Sequence, residues 1–282
     1  MSAFPRTRVG GLNLSRLVIG TNWFLGYSHQ TKSRSLMIEQ RHNARTMAEI
    51  IGVFAADGVN TVLGPCSKVL CRAVDLAEQQ AGKKIHRILT PGVPRDDRGS
   101  VQWDAVGKAF DECAQASASF CWPHESATDA LYDGMTGKIR HMERICSMIR
   151  ERDMIPGLST HLPQTILSAD RNGYDVASYI SIYNAVGFLM PVEVDWVQHV
   201  IHGAAKPVLT IKSLAAGRLM PQVGLPFSWA TIRPCDLVAV GTTTADEARE
   251  VLEISRACLE NRQANVELQI TRSKQSLIKK KG

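Results

Sequence analysis

A chain of 282 residues with 44% apolar and 21% charged side chains has a globular balance and suits either two small domains or one barrel. Its seven cysteines, Cys66, Cys71, Cys113, Cys121, Cys146, Cys235 and Cys258, are scattered and odd in number. That excludes a small disulfide framework or paired zinc spacing and points to a reducing, cytoplasmic compartment. Of the net charge of +6, five units lie in Arg272, Lys274, Lys279, Lys280 and Lys281, so residues 1–270 carry no basic footprint for nucleic acid, and no apolar run is long enough for a bilayer.

In chain order, the opening MSAFPRTRVGG lacks the apolar core of a secretory signal. Short β-branched runs then alternate with segments of helical period, the pattern of a parallel sheet with crossover helices. Arg16 to Thr21 is the first expected strand; after a long loop, Met47, Ile50, Ile51 and Phe54 recur on one helix face. Val59 to Leu63 is the second strand, and a helix from Ser67 ends at Gly82. Lys84 to Thr90 is the third, broken by Pro91, Gly92 and Pro94, with a helix from Asp104 to about Gln115.

Ser117 to Trp122 is the fourth strand, followed by a helix bearing Ile139, Met142, Ile145, Cys146 and Ile149 at spacings of three and four. The fifth strand opens at Pro156-Gly157 and ends at Ser159, Thr160 and His161; a short helix before Gly173 leads to a sixth strand, Val176 to Asn184. A helix over Val192 to Ala205, a seventh strand over Val208 to Ser213, a weak helix around Trp229 and an eighth strand, Asp236 to Gly241, complete the series. Thr244 and Glu247 have the spacing of a capping box for the last helix. Eight units without a linker predict one α/β domain over residues 1–270, a single (β/α)8 TIM barrel with a short N-terminal hairpin, and a basic, mobile tail over residues 271–282.

RVGGLNLSRLVIGTNWFLG, residues 8–26, resembles the opening of the aldo/keto reductases. Further echoes are Trp122-Pro123, GLST at Gly157 to Thr160, IYN at Ile182 to Asn184 and the Gly241-Thr242 turn. The resemblance implies the barrel scaffold, a nicotinamide cofactor (NADP or NAD) over the strand ends, and an Asp-Tyr-Lys-His tetrad. The tetrad is missing here. Thr61-Val62-Leu63-Gly64-Pro65 stands where the acid and phenol belong, Thr90-Pro91 removes the lysine, Cys121-Trp122-Pro123 removes the histidine, and Ile180 replaces a carboxamide-binding glutamine. Standard carbonyl protonation therefore has no agent.

In a (β/α) barrel the polar residues at the carboxyl ends of strands meet at one mouth. Those ends supply Lys212, His161 and His124 as candidate catalytic residues, with Thr21, Asn22, Ser159, Asn184, Ser213, Gly217, Arg218, Gly241 and Thr242 as candidate cofactor contacts. Lys212, beside small residues, reads as a base, a Schiff-base nucleophile or an anion anchor, against a lysine that snorkels to solvent. His161 reads as acid, base or ligand, against a cap for the following helix, and His124 similarly, with Glu125 expected to face away from it. No HxH or HExxH spacing supports a metal site.

Cys121 reads as a buried structural thiol, and Cys66, ahead of a helix, as the better candidate for a lowered pKa, although an inert thiol is the preferred reading there too. Ala215, Ala216, Gly217, Arg218 and the Gly241-Thr242-Thr243 turn resemble an anion site between strands seven and eight, against tight loop packing. The leading functional expectation is an enzyme doing acid–base or carbonyl chemistry on a small hydroxy- or keto-substrate, which the anion site allows to be phosphorylated. The alternatives are an NAD(P)-dependent oxidoreductase with a rebuilt proton donor and a non-catalytic ligand-binding barrel. No membrane or nucleic-acid partner is expected; a homo-oligomer is compatible.

Overall fold

The computed structural model describes residues 4–277. A hairpin, Arg6–Val9 paired with Leu12–Ser15, leads into a parallel sheet that curls on itself. Its strands are β1 (Leu17–Gly20), β2 (Thr61–Gly64), β3 (His86–Leu89), β4 (Phe120–Cys121), β5, β6 (Tyr179–Ile182), β7 (Val208–Ile211) and β8 (Leu237–Val240). Strand β5 comes in two pieces: Ile155–Pro156 pairs with β4, and Leu158–Ser159 pairs with β6. Since β8 pairs with β1, the circuit of eight is nearly closed, as the sequence pattern predicts.

Gly157 separates the two pieces for a steric reason. The Trp122 indole lies against it, and a Cβ there would fall 2.4 Å from the ring. Alternation along each strand sorts the core into two layers. Val18, Ile88, Phe120, Trp122, Ile180, Leu209, Leu237 and Ala239 fill the barrel, with Val9 and Leu14 of the hairpin joining them. Leu17, Ile19, Val62, Leu89, Tyr179, Val208, Val238 and Val240 point outward against the helices. Cys121 belongs to this outer layer, consistent with a structural thiol.

The helices are α1 (Lys32–Arg41), α2 (Ala44–Ala56), α3 (Lys68–Ala81), α4 (Trp103–Gln115), α5 (Glu125–Leu131), α6 (Met142–Arg150), α7 (Pro163–Asn172), α8 (Val194–Gly203), α9 (Pro221–Thr231) and α10 (Ala245–Leu259). Two depart from the sequence reading: α1 lies inside the long loop after β1, and α5 follows β4 directly. Ile139 sits in a small two-stranded bridge rather than in α6. The capping box of α10 is half formed: Thr244 Oγ1 accepts from Glu247 N–H at 3.1 Å, but the Glu247 carboxylate goes to Thr243 instead. Of the basic tail, Arg272–Leu277 forms a 3-10 turn, while Lys279 to Lys281 lie outside the described residues.

At the closed end Asp236 is fully buried and accepts from Arg233 and from Val208 N–H at 2.8 Å, so its charge is paired and hydrogen-bonded. That end has the character of a structural face. No helix among the described residues is long and apolar enough to cross a membrane.

Candidate functional site

The carboxyl ends of the strands open into a cavity of about 750 Å³. Lys212, His161 and His124 all line it, joined by Glu125 and by His29 from the loop after β1. Thr21, Asn22, Ser159, Ser213, Gly217, Arg218, Gly241 and Thr242 also lie on its wall. Asn184 does not. It is buried, and its amide closes its own loop, accepting from Phe188 N–H at 2.8 Å and donating to Phe188 O at 3.0 Å.

One side of the mouth is built by α5 and the end of β5. His124 occupies the N-cap position of α5, its Nδ1 2.8 Å from Ser126 Oγ, so Glu125 begins a helix rather than continuing an extended segment. Both residues therefore face the cavity, which corrects the expectation that they point apart. Glu125 Oε2 lies 2.8 Å from His124 Nδ1, and Oε1 lies 3.9 Å from His161 Nδ1. One turn on, Asp129 accepts from Thr160 Oγ1 and from His161 N–H at 2.9 Å, and Thr128 Oγ1 donates to Ser159 O. Thr165 Oγ1 adds a bond to Thr160 Oγ1 at 2.6 Å. The chain at 159–161 is pinned from both sides. His161 caps nothing, since Leu162 is the N-cap of α7 and makes no side-chain cap bond.

This arrangement drives the two imidazoles in opposite directions. The contact with Glu125, opposed by burial, raises His124 above the ordinary histidine range. Burial lowers His161, with Lys212, His124 and His29 adding to the effect against the attraction of Glu125. Burial pushes the Glu125 carboxyl up, but His124 and His161 outweigh it and hold it below the usual carboxylate range. Burial raises Asp129 against its bonds to Thr160 and His161 N–H.

The opposite side belongs to β7 and β8. Lys212 Nζ lies 2.5 Å from His29 Nε2, and burial brings the ammonium down to about 8 despite Glu125. His29 is lowered by burial first, then by Lys212 and Arg218. Lys212, Ala215 and Ala216 all have positive φ, at 66°, 47° and 55°, a conformation that costs an L-residue about 1 kcal/mol or more and clusters where function demands it. Cys66 is no rival nucleophile: the contact with Cys113 first, then burial, push the thiol up to about 11 against the lowering contact with Cys71, in keeping with an inert thiol.

The seam between the β7 and β8 loops tests the fit of a dinucleotide. The Trp23 ring approaches both loops, 3.0 Å from a notional Cβ on Gly241 and 3.5 Å from one on Gly217, and Gln30 Nε2 donates to Ala216 O at 2.8 Å. At the start of α10 the Glu247 carboxylate accepts from Thr243 N–H at 2.6 Å and from Thr243 Oγ1 at 2.9 Å. The anion position expected there is thus filled from within, and a phosphate would meet a carboxylate. The seam as arranged does not fit a dinucleotide phosphate. It does hold two buried hydroxyls, Ser213 Oγ and Thr242 Oγ1, that have no partner among the described residues.

Sequence reasoning missed His29, Asp129, Trp23 and Glu247 as parts of this mouth. The i, i+4 spacing of Glu125 and Asp129 was a usable signal for a shared helix face. His29 carried none. Among the described residues no group of three or more His, Cys, Asp or Glu side chains is placed to hold a metal ion.

Neither a family model nor a curated protein matches the sequence. Solved structures do. A protein of Pseudomonas aeruginosa assigned to the aldo-keto reductases is 16% identical, with a TM-score of 0.64 over 90% of this chain and 96% of its own. An aldo/keto reductase from Klebsiella pneumoniae, solved with NADP and acetate, is 13% identical, with a TM-score of 0.56 over 93% and 92%. Another from Brucella melitensis is 11% identical, with a TM-score of 0.56 over 92% and 99%. The chain has the aldo-keto reductase fold, in a divergent form without the Asp-Tyr-Lys-His tetrad at its expected positions.

Proposed function

We propose that the protein is a small-molecule enzyme that moves protons at the carbon next to a carbonyl group, working on a hydroxy- or keto-substrate held at the barrel mouth. The reading rests on His124 and His161, two imidazoles on either side of Glu125 whose protonation is driven in opposite senses. Environments that separate the pKa values of two like groups assign an acid and a base. Neutral His161 takes the proton from carbon, protonated His124 gives one to the carbonyl oxygen, and the Glu125 carboxylate stabilises the imidazolium on either ring. Lys212 faces the same cavity and engages the carbonyl.

Proton NMR in D₂O, with a panel of short hydroxy-aldehydes and hydroxy-ketones, tests it. The wild-type protein is expected to exchange the hydrogens next to the carbonyl faster than buffer, and His161→Asn to lose most of that rate. Exchange unchanged in both His161→Asn and His124→Asn would overturn the assignment.

A redox reaction with a nicotinamide cofactor is the second reading, favoured by the shared fold with a reductase solved with NADP and opposed by Glu247 and Trp23 at the seam. Titration with NADPH and NADH, followed through the five tryptophans, separates the two. Saturable binding of either nucleotide would favour redox chemistry.

A further inference from the structure

Building on the acid–base reading of the mouth, we propose that Lys212 forms a covalent imine with an uncharged hydroxy-carbonyl compound, whose hydroxyl groups are received by Ser213 and Thr242. The amine stands at the carboxyl end of β7, on the cavity wall, 2.5 Å from His29 Nε2. The backbone holds it there in a left-handed conformation that glycine would adopt without cost. Burial also brings Lys212 to about 8, so a useful fraction is the neutral amine near neutral pH.

The step balances within the site. Neutral Nζ attacks the carbonyl carbon, a C–N bond forms as the C–O double bond opens, and His124 protonates the oxygen. The nitrogen loses a proton to His29 Nε2, giving a neutral carbinolamine. The protonated His29 returns its proton to the hydroxyl, which leaves as water while the nitrogen lone pair forms the C–N double bond, and the remaining N–H proton passes to the now neutral His124, so both imidazoles end as they began. One water is released and nothing is oxidised or reduced.

The substrate class follows from the wall beside the amine. Ser213 is the next residue and Thr242 lies two residues past the end of the neighbouring strand β8; both line the cavity, both side chains are more than nine-tenths buried, and their hydroxyls have no partner among the described residues. A hydroxyl group, donor and acceptor at once, satisfies each. Arg34 and Arg218 line the same cavity as Glu247 and Glu250, but the Glu247 carboxylate sits on Thr243 N–H at 2.6 Å, next to Thr242, so a phosphate or carboxylate at that end meets a like charge.

Dihydroxyacetone is the probe, with acetone as its analogue without hydroxyls, each incubated with the full chain and then reduced with sodium borohydride before peptide mapping by mass spectrometry. The expected result is a reduced adduct on the Lys212 peptide in preference to the surface lysines. Acetone is expected to label it at least about tenfold less. Lys212→Arg should abolish that adduct while keeping the wild-type circular dichroism spectrum. Ser213→Ala combined with Thr242→Val should lower the dihydroxyacetone adduct about fivefold and leave the acetone adduct unchanged. Labelling spread evenly over the lysines overturns the imine, and equal labelling by the two ketones overturns the hydroxyl recognition. Deuterium exchange without a Lys212 adduct would leave the acid–base function standing and reject the imine; an adduct without exchange would do the reverse.

Discussion

The two sides of the mouth are built on opposite principles. On the β4–β5 side every polar group that positions His161 is itself held: Asp129 takes Thr160 and the His161 N–H, Thr128 takes Ser159, and Thr165 takes Thr160. On the β7–β8 side three residues of one loop, Lys212, Ala215 and Ala216, adopt positive φ, and two buried hydroxyls have no partner among the described residues. One side is a hydrogen-bonded scaffold that fixes a base; the other is strained and leaves buried hydroxyls unpaired, as expected of a surface that completes its bonds with a ligand.

The largest effect should come from the pinned side. Replacing His161 with Asn removes the base while keeping a polar side chain, and the exchange rate should fall roughly a hundredfold or more; retained exchange would place the base elsewhere. Asp129→Ala next breaks two bonds at once and leaves Thr160 Oγ1 and the His161 N–H to find new partners. Thermal or denaturant unfolding should show a loss of about 2 kcal/mol, with slower exchange because His161 is no longer held.

The strained side should answer in the opposite sense. Lys212→Gly removes the amine and relieves the left-handed backbone, so the variant should be inactive yet more stable by about 0.5–1 kcal/mol; a destabilised variant would show that the buried stem of Lys212 outweighs the strain. The smallest effect belongs to Glu247→Gln, an exposed cap. Stability should barely move, while weak binding of inorganic pyrophosphate, followed by tryptophan fluorescence, should improve as the start of α10 loses its own carboxylate.

Sequence legibility divided along similar physical lines. All eight strands could be read because β-branched runs such as Leu17–Gly20 and Leu237–Val240 are fully apolar and bounded by turn residues. Helix α2 shows Met47, Ile50, Ile51 and Phe54 at helical spacing, whereas α1 buries Ile38 alone and α5 is seven residues long with Leu131 its one large buried side chain. Periodicity cannot find helices like those. Within the site, Lys212, His124 and His161 were legible because each lies within three residues of a strand's end, and the fold sends strand ends to one place. His29 was not, because it reaches Lys212 through the return of an irregular loop across 183 positions of chain. Asn184 shows the converse: a strand-end position whose side chain is consumed locally by its own turn.

The pH profile of deuterium exchange tests the paired-imidazole mouth most directly. His161 must be neutral to accept a proton, and its lowered pKa places the rising acid limb below the ordinary histidine value of 6.5. His124 must be protonated to donate, and its raised pKa places the falling alkaline limb above 6.5. A bell with limbs on either side of that value, whose alkaline limb is lost in His124→Asn, is the predicted result; a single limb that survives in both histidine variants would contradict it.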